Sequence, residues 1–193
     1  NVVLYPAIAT MRAIDKLVGK VAGPPTEEEE QQAIEEQILT AVEEGEKEGI
    51  VDEQEREMIE SVIDFRDVLV KEVMTARPDI VAMDSGMGLT LVREVFQKTG
   101  HSRVPVYEGT LDHIIGVLYA RDLLKYLGET AEEFDIKKAV RQAFFVPETK
   151  RLRDLLHDFR TLKIHMAIVL DEYGGTAGLV TIEDVLEQLV GEI

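Results

Sequence analysis

The hydrophobic and polar positions in the second part of the chain form a repeated pattern. With an offset of 62 residues, three pairs coincide: Val106 with Ile168, Gly116 with Gly178, and Asp122 with Asp184. Upstream, with one residue inserted, Leu89, Val92 and Phe96 coincide with Leu152, Leu155 and Phe159. Each copy reads helix, strand, turn, strand, helix, after an extended segment. A repeat of about 60 residues is too long for a solenoid and too short for two ample domains. We predict two half-modules that bury their sheets against each other and leave ligand clefts where they meet.

The segment before the repeat has a helical pattern on a strongly polar background. Proline excludes the helical conformation for the residue before it, so Gly23–Pro25 is a break. Over 26–66, apolar residues recur at helical spacing, and Thr26 and Asp52 stand where helix caps are favoured. The pattern predicts an antiparallel pair of helices.

The negative charge of the chain is concentrated in this helical pair. The formal net charge is −17, and Thr26–Phe65 alone contains sixteen acidic and two basic residues. This distribution argues against nucleic-acid binding, which needs clustered Lys and Arg. It is compatible with a solvated acidic face or with a surface that attracts divalent cations. An EF-hand is excluded, because no loop has alternating Asp or Asn ligands followed by Gly.

Residues 1–25 begin with eleven nearly all-apolar residues, and Arg12, Lys16 and Lys20 follow. Basic residues just beyond an apolar stretch are typical of a membrane exit, so we predict a connector helix over 1–25, with a buried helix as the alternative. The chain has no run of about 20 apolar residues, which is the length that a helix needs to span a bilayer. The absence of cysteine excludes disulfides and thiolate chemistry and favours a cytoplasmic setting.

The stretch TAGLVTIEDVLEQLVGEI places Thr181 between an apolar strand and a helix, with Asp184 one turn later. One interpretation is that the pair is a helix cap and nothing more. Alternatively it can hold a ligand, because free amides at a helix start attract phosphate and a carboxylate accepts hydrogen bonds from a ribose diol. A carboxylate repels phosphate, so Asp184 is expected at the sugar and Thr181 at the sugar or the phosphate.

The same stretch disfavours catalysis. Glu183 and Asp184 are adjacent on a helix, so their side chains point about 100° apart and cannot flank one bond. The chain has no nucleophilic serine motif, no P-loop and no zinc-binding histidine pair at helical spacing. We therefore expect a binding module and not an enzyme.

Two further motifs precede strands. In VKEVMTARPDI, Thr75 follows a helix that ends near Met74, and it can satisfy a turn or contribute to a site. In GHSRVPVY, His101, Ser102 and Arg103 lie in a loop before a strand. The forked guanidinium of Arg103 suits phosphate, although it can also pair with a surface acid.

The repeated part, residues 67–193, resembles a tandem pair of CBS domains (a Bateman module), and GLVTIEDVL is similar to that family's strand-Gly-x-x-Thr-x-x-Asp signature. Over nearly the whole chain, four stretches resemble the CorC/cyclin-M (hemolysin C-like) magnesium-transport family: EEGEKEGIVDEQEREMIESV, DFRDVLVKEVMTARPDI, GHSRVPVYEG and HMAIVLDEYGGTAGLVTIEDVLEQLVGEI.

The resemblance implies an α+β fold, with an acidic helical bundle at 26–66 followed by a CBS pair. The first copy would occupy 67–130 and the second copy 131–193, each a small sheet with two packed helices. In that family a transmembrane domain precedes the acidic helices, and a small corner domain often follows the pair. The chain would then be a soluble part at the cytoplasmic face of the cell membrane, a homodimer, and a partner of its own transmembrane domain.

The resemblance also implies that ATP, usually with Mg²⁺, binds in one of the two clefts. Carried over by motif, the site would consist of Met74, Thr75, His101, Ser102, Arg103, Leu179, Thr181 and Asp184. Met74 and Leu179 would enclose the adenine. The first copy has Tyr119 where the signature has Thr, although it keeps Asp122, so we expect one nucleotide per chain. The implied function is regulation of magnesium transport; the alternative is a dimerisation scaffold that binds no nucleotide.

Overall fold

The computed structural model describes residues 26–126 and 134–191, and the predicted connector helix over 1–25 lies outside them. The described chain divides into two compact units between Glu60 and Ser61. Two helices lie where the sequence predicts the helical pair: α1 (Glu27–Lys47) and α2 (Glu53–Asp64).

The predicted caps of these two helices are present as reciprocal pairs of hydrogen bonds. The Thr26 hydroxyl accepts from the Glu29 amide at 3.3 Å, while the Glu29 carboxylate accepts from the Thr26 amide at 2.8 Å. Asp52 and Glu55 make the same exchange at 2.8 and 3.0 Å.

The second unit mixes short helices with two small sheets. Its helices are α3 (Val70–Val73), α4 (Leu89–Thr99), α5 (Ile136–Ala139), α6 (Leu152–Leu162) and α7 (Ile182–Val190), with 3₁₀ turns at Arg77–Asp79 and Ala120–Tyr126. Its strands are β1 (Thr75–Ala76), β2 (Met83–Asp84), β3 (Arg103–Glu108), β4 (Thr110–Tyr119), β5 (Phe145–Pro147), β6 (Met166–Leu170) and β7 (Thr176–Thr181). The predicted α+β class is confirmed.

The two sheets follow the sequence repeat. One sheet has the order β2-β3-β4 and the other β1-β7-β6-β5. In the first copy β3 and β4 form an antiparallel hairpin that β2 joins in parallel; in the second copy β6 and β7 form the hairpin and β5 joins in parallel. The strands of the two copies therefore have the same arrangement.

Each copy supplies an edge segment to the sheet of the other. Strand β1 precedes the first copy in the chain, yet it pairs with β7 of the second copy, with Thr75 opposite Leu179. In return, Arg141 precedes β5 of the second copy and bridges to Val117 on β4 of the first, with an N–H···O bond of 2.9 Å in each direction. We call this arrangement the edge exchange.

The edge exchange explains the two glycines that coincide in the repeat. A Cβ atom at Gly178 would lie 2.6 Å from the carbonyl oxygen of Thr75. A Cβ atom at Gly116 would lie 2.5 Å from the carbonyl oxygen of Arg141. Both distances are shorter than a carbon–oxygen contact allows, so only glycine lets the exchanged backbone approach this closely.

The hydrophobic core has three parts. Helices α4 and α6 bury equivalent side chains, as the repeat predicts: Leu89, Val92 and Phe96 in α4, and Leu152, Leu155 and Phe159 in α6. Each helix covers the sheet of its own copy. A third cluster joins the copies and contains Ile114, Val117, Ala143, Met166, Ile168 and Leu179. The two copies thus share one apolar interface, which is the burial that the half-module prediction requires.

A polar network also connects the copies. Arg77 donates to Asp112 at 2.9 Å and to the carbonyl oxygen of Thr176 at 2.8 Å. Asp112 also accepts from the Thr176 amide at 3.0 Å, and the buried Thr176 hydroxyl donates to the Leu111 carbonyl at 2.7 Å. The hydrogen bond from Arg77, followed by the one from the Thr176 amide, lowers the pKa of Asp112 to about 2.

The first prediction concerns the close approach at Gly178. We expect Gly178→Ala to lower the free energy of unfolding by about 2 kcal/mol or more, because the new methyl group meets backbone that cannot move without breaking the β1–β7 pairing. Urea denaturation of the two proteins measures this. Gly88→Ala is the matched control, because a Cβ atom there meets nothing within 4 Å, and it should cost less than about 1 kcal/mol. Equal losses for both variants would contradict the prediction.

The second prediction concerns Asp112. Its pKa is lower in the folded protein than the ordinary value of 3.8, so its ionised form stabilises the fold above that pH, and this contribution disappears as the pH falls towards about 2. Asp112→Asn should therefore lower the free energy of unfolding at pH 7, and the difference from the parent should shrink between about pH 4 and pH 2. Urea titrations at several pH values measure this. Glu187→Gln, the same carboxylate-to-amide change on the exposed face of α7, is the matched control. A difference that stays constant down to pH 2 would disprove the role of the charge.

Candidate functional site

A cavity of about 250 Å³ lies where β1, the loop before β3 and the start of α7 meet. We call it the first cavity. Six of the predicted site residues line it: Thr75, His101, Arg103, Leu179, Thr181 and Asp184. The edge exchange brings them together, because β1 carries Thr75 to the side of Leu179 on β7. Residues more than 100 positions apart in the chain therefore face one space.

The other two predicted residues do not line the first cavity. Met74 packs with the core of the second copy, and its sulfur lies 2.7 Å from where a Cβ atom of Gly178 would stand. Ser102 lines a separate cavity. Met74 has an extended backbone next to Thr75, and neighbouring side chains in extended chain point to opposite sides. Ser102 lies in a bend just before β3.

Five lining residues were not predicted: Asp79, Ile80, Val81, Pro105 and Met166. Pro105 lies two residues after Arg103 on β3, so the period of a strand places both on one face. Met166 lies opposite Thr181 in the β6–β7 hairpin. The strand period alone could have indicated Pro105, whereas Met166 and the segment from Asp79 to Val81 depend on strand pairing and the edge exchange.

Thr181 and Asp184 form the cap that the sequence allows. The Asp184 Oδ2 atom accepts from the Thr181 amide at 2.7 Å and from the Thr181 hydroxyl at 2.8 Å, while the Asp184 amide donates to that hydroxyl at 3.3 Å. In the part of the chain that the structure describes, Asp184 Oδ1 has no hydrogen-bond partner. The cap therefore fixes the carboxylate and leaves one of its oxygens for another donor, so capping and ligand binding are compatible.

Arg103 makes the ion pair that the sequence left as an alternative. Its Nη1 lies 3.2 Å from Glu183 Oε1, and Glu183 is 62% exposed while Arg103 is 19% exposed. An ion pair with so exposed a partner is weak. Arg103 Nε is buried and has no hydrogen-bond partner within the described ranges. The guanidinium is therefore held in place but only partly satisfied, which suits an anion that displaces Glu183.

The lining of the first cavity has an apolar part and a polar part. Ile80, Pro105 and Leu179 supply hydrocarbon surface, and Leu179 also belongs to the cluster that joins the two copies. Thr181 and Asp184 lie at the start of α7, and His101 and Arg103 come from the loop and strand of the first copy. One space therefore offers an apolar surface, a diol acceptor and a cation.

The equivalent position in the first copy has different contacts. Tyr119 stands where the second copy has Thr181, and the carboxylate of the buried Asp122 is taken by Arg141, with bonds of 2.8 and 3.0 Å. The Arg141 hydrogen bond also lowers the pKa of Asp122. Asp122 is therefore committed to an ion pair, unlike Asp184.

Over residues 26–126 and 134–191, no cluster of three or more His, Asp or Glu side chains is arranged to hold a metal ion. None of the helices in these ranges is long and apolar enough to cross a membrane.

Comparisons with known proteins agree with this architecture. The family model of the CBS domain matches the chain twice, over residues 70–129 and 134–191. The "Magnesium and cobalt efflux protein CorC" of Pasteurella multocida is 42% identical over 158 residues, which cover 82% of this chain and 53% of that protein. The chain thus spans about half the length of the CorC proteins that it matches.

Two similar solved structures are CBS domains of bacterial CNNM/CorC family Mg²⁺ transporters. One, in complex with the inhibitor IGN95a, is 41% identical with a TM-score of 0.76, and the match covers 82% of this chain and 98% of that one. The other, in complex with ATP, is 45% identical with a TM-score of 0.70, and the match covers 72% and 99%.

Proposed function

Since the chain belongs to the CBS domain family and is homologous to the CorC magnesium and cobalt efflux proteins, we propose that it is the regulatory module of a divalent-cation transporter and binds ATP in the first cavity. It would act at the cytoplasmic face of the membrane, as a homodimer joined to its own transmembrane domain. Its role would be to bind ATP and to couple that binding to transport, without catalysing a reaction.

The observation that carries this proposal is the combination of groups in the first cavity. A nucleotide has an apolar flat base, a diol and a polyanion, and the cavity offers a matching surface for each. Ile80, Pro105 and Leu179 would receive the base, and Asp184 Oδ1 would accept from the ribose diol. Met74 would act indirectly, by packing beside Gly178 where β1 meets β7.

The phosphates would lie towards Arg103. Arg103 would exchange its weak ion pair with Glu183 for a charge-assisted bond to phosphate, while the amides at the start of α7 and the Thr181 hydroxyl would add donors. His101 and Thr75 border the same space. Ser102 lines the other cavity, so any contact with this ligand would be at its margin.

Magnesium would enter with the nucleotide. Among the described residues no side-chain cluster of the kind that holds a metal is present. Mg²⁺ usually binds phosphate oxygens and keeps several waters, so the ion would be held mainly by ATP and water and would need few protein ligands. The acidic helices would add a diffuse attraction, since sixteen acids against two bases in Thr26–Phe65 repel one another in a dimer.

Coupling would follow from the composite nature of the cavity. A ligand that contacts both copies stabilises the arrangement of the copies in which it can contact the cavity lining from each of them. ATP can shift the transporter only by its difference in affinity between two such geometries, typically about 1–3 kcal/mol.

The alternative is a scaffold that dimerises without nucleotide. It is favoured by one observation, namely that Thr181 and Asp184 already satisfy each other as a cap. A binding measurement separates the two functions.

We expect calorimetric titration with Mg²⁺–ATP to give saturable binding. Asp184→Asn replaces the carboxylate that would accept from the ribose by a neutral amide, and Thr181→Ile removes the hydroxyl. Each substitution should therefore weaken ATP binding by at least about tenfold. Asp135→Ala is the matched control, since Asp135 caps α5 through the Lys137 amide and lines neither cavity. The scaffold alternative is favoured if the parent shows no saturable binding, or if the control loses as much affinity as the cleft variants.

We also expect one ATP per chain. The committed Asp122 and the ring of Tyr119 leave no diol acceptor in the first copy, so only the first cavity accepts a nucleoside. Calorimetry with independently measured protein concentration gives the stoichiometry. Two nucleoside sites of similar affinity would contradict this expectation.

A further inference from the structure

The second unit contains a larger cavity at the end of β4, of about 340 Å³, which we call the second cavity. Six of its lining residues matter here: Arg103, Tyr119, Arg121, Arg141, Lys163 and His165. Four of them are Arg or Lys, in a chain whose formal net charge is −17. A concentration of positive charge in so acidic a protein calls for an anionic partner.

The second cavity is the repeat equivalent of the first, with the charges changed. At the offset of 62 residues, His101 corresponds to Lys163 and Glu183 to Arg121. Arg141 holds the place of Thr75, because Arg141 pairs with Val117 as Thr75 pairs with the equivalent Leu179. The second cavity thus has arginines where the equivalent positions hold a glutamate and a threonine, and a lysine where the first cavity has a histidine. The backbone frame is therefore kept while the electrostatic character is reversed.

The acidic residues near the second cavity do not neutralise this charge. Asp122 binds Arg141 and lies 3.5 Å from the Lys125 ammonium. Arg121 and Lys163 have no ion pair among the residues that the structure describes. Two cationic side chains are thus available to a ligand, in addition to the weakly paired Arg103.

Tyr119 gathers the guanidinium groups around one ring. The carbon at the centre of the guanidinium lies 4.5 Å from the ring centroid for Arg141, 5.2 Å for Arg121 and 5.9 Å for Arg103. Attraction to the ring holds three like charges close together, and an anion between them would remove their mutual repulsion. Forked guanidinium groups bind phosphate oxygens in pairs.

We propose that the second cavity binds a compact polyanion made of phosphate groups and without a nucleobase. Tyr119 replaces the hydroxyl that would face a ribose, and Asp122 is committed to Arg141, so the nucleoside contacts of the first cavity are lost while the phosphate contacts are multiplied. Two sources supply this chemistry: a free polyphosphate-type anion, or the terminal phosphates of a nucleotide in the first cavity that extend past Arg103, which borders both spaces.

The test uses tripolyphosphate as the probe, titrated by calorimetry at about 150 mM salt, where non-specific surface attraction is screened. The variant is Arg121→Gln with Lys163→Asn, because Lys163 has φ 55° and asparagine tolerates that conformation. Its affinity for tripolyphosphate should fall by at least about tenfold. The control, Lys98→Gln with Arg153→Gln, removes the same two charges from α4 and α6 outside the cavity and should change affinity by less than about twofold.

Two further arms distinguish the sources. If the natural ligand is a free anion, protein saturated with Mg²⁺–ATP should still bind tripolyphosphate. For the phosphates of a bound nucleotide, tripolyphosphate competes with ATP, and the double variant weakens ATP while leaving adenosine binding unchanged. Asp184→Asn tests the first cavity separately, so failure of the ATP proposal leaves the tripolyphosphate result interpretable.

The proposal is overturned if tripolyphosphate does not bind saturably to the parent protein, or if the double variant and the control lose affinity equally. Thermal denaturation of both variants without ligand establishes that they are folded.

Discussion

Backbone pairing between the two copies is the constraint on which the second unit depends. Strand β1 pairs with β7, and Arg141 pairs with Val117, so each copy completes the sheet of the other. An unpaired sheet edge and buried unpaired amides are costly, and the exchange removes both costs at once. The same exchange requires close contact between backbones, which explains why Gly116 and Gly178 recur at the same place in the repeat. The apolar cluster around Ile168 and Leu179 and the Arg77–Asp112–Thr176 network then add side-chain contacts to a geometry that the backbone has set.

The exchange also decides what the cavities are made of. The first cavity takes Thr75 from the exchanged segment, Arg103 from the first copy and Asp184 from the second. Neither copy contains this set alone. A ligand in such a space contacts three separate parts of the chain, so its binding free energy depends on how the two copies are placed. This dependence would be the physical basis for the proposed regulatory role, and it needs no moving lid or reactive group.

Local features of the fold could be predicted from the sequence, while features that depend on pairing could not. The caps at Thr26 and Asp52 and the buried faces of α4 and α6 follow from spacing within one turn or one helix. The Thr181–Asp184 pair is local in the same way. Met166 reaches the first cavity only because β6 pairs with β7 in a particular register, and Asp79 only because the exchanged segment crosses to the other copy. The predicted set also contains Met74 and Ser102, which the structure places against the core of the second copy and in a separate cavity, and motif matching does not resolve which way adjacent side chains point.

The two cavities show how the side chains of a duplicated frame can diverge while its backbone arrangement is kept. The first cavity has Thr75 and an Asp184 oxygen without a described partner, whereas the second has Arg141 in the place of Thr75, and this arginine binds Asp122. Arg103 borders both, and its only described ion pair is with the exposed Glu183. Under the two proposals above, an anion on either side competes for this one guanidinium. Occupation of one cavity then changes the affinity of the other, and because such coupling is reciprocal, the second cavity would tune the response to the nucleotide by the same factor that the nucleotide tunes it.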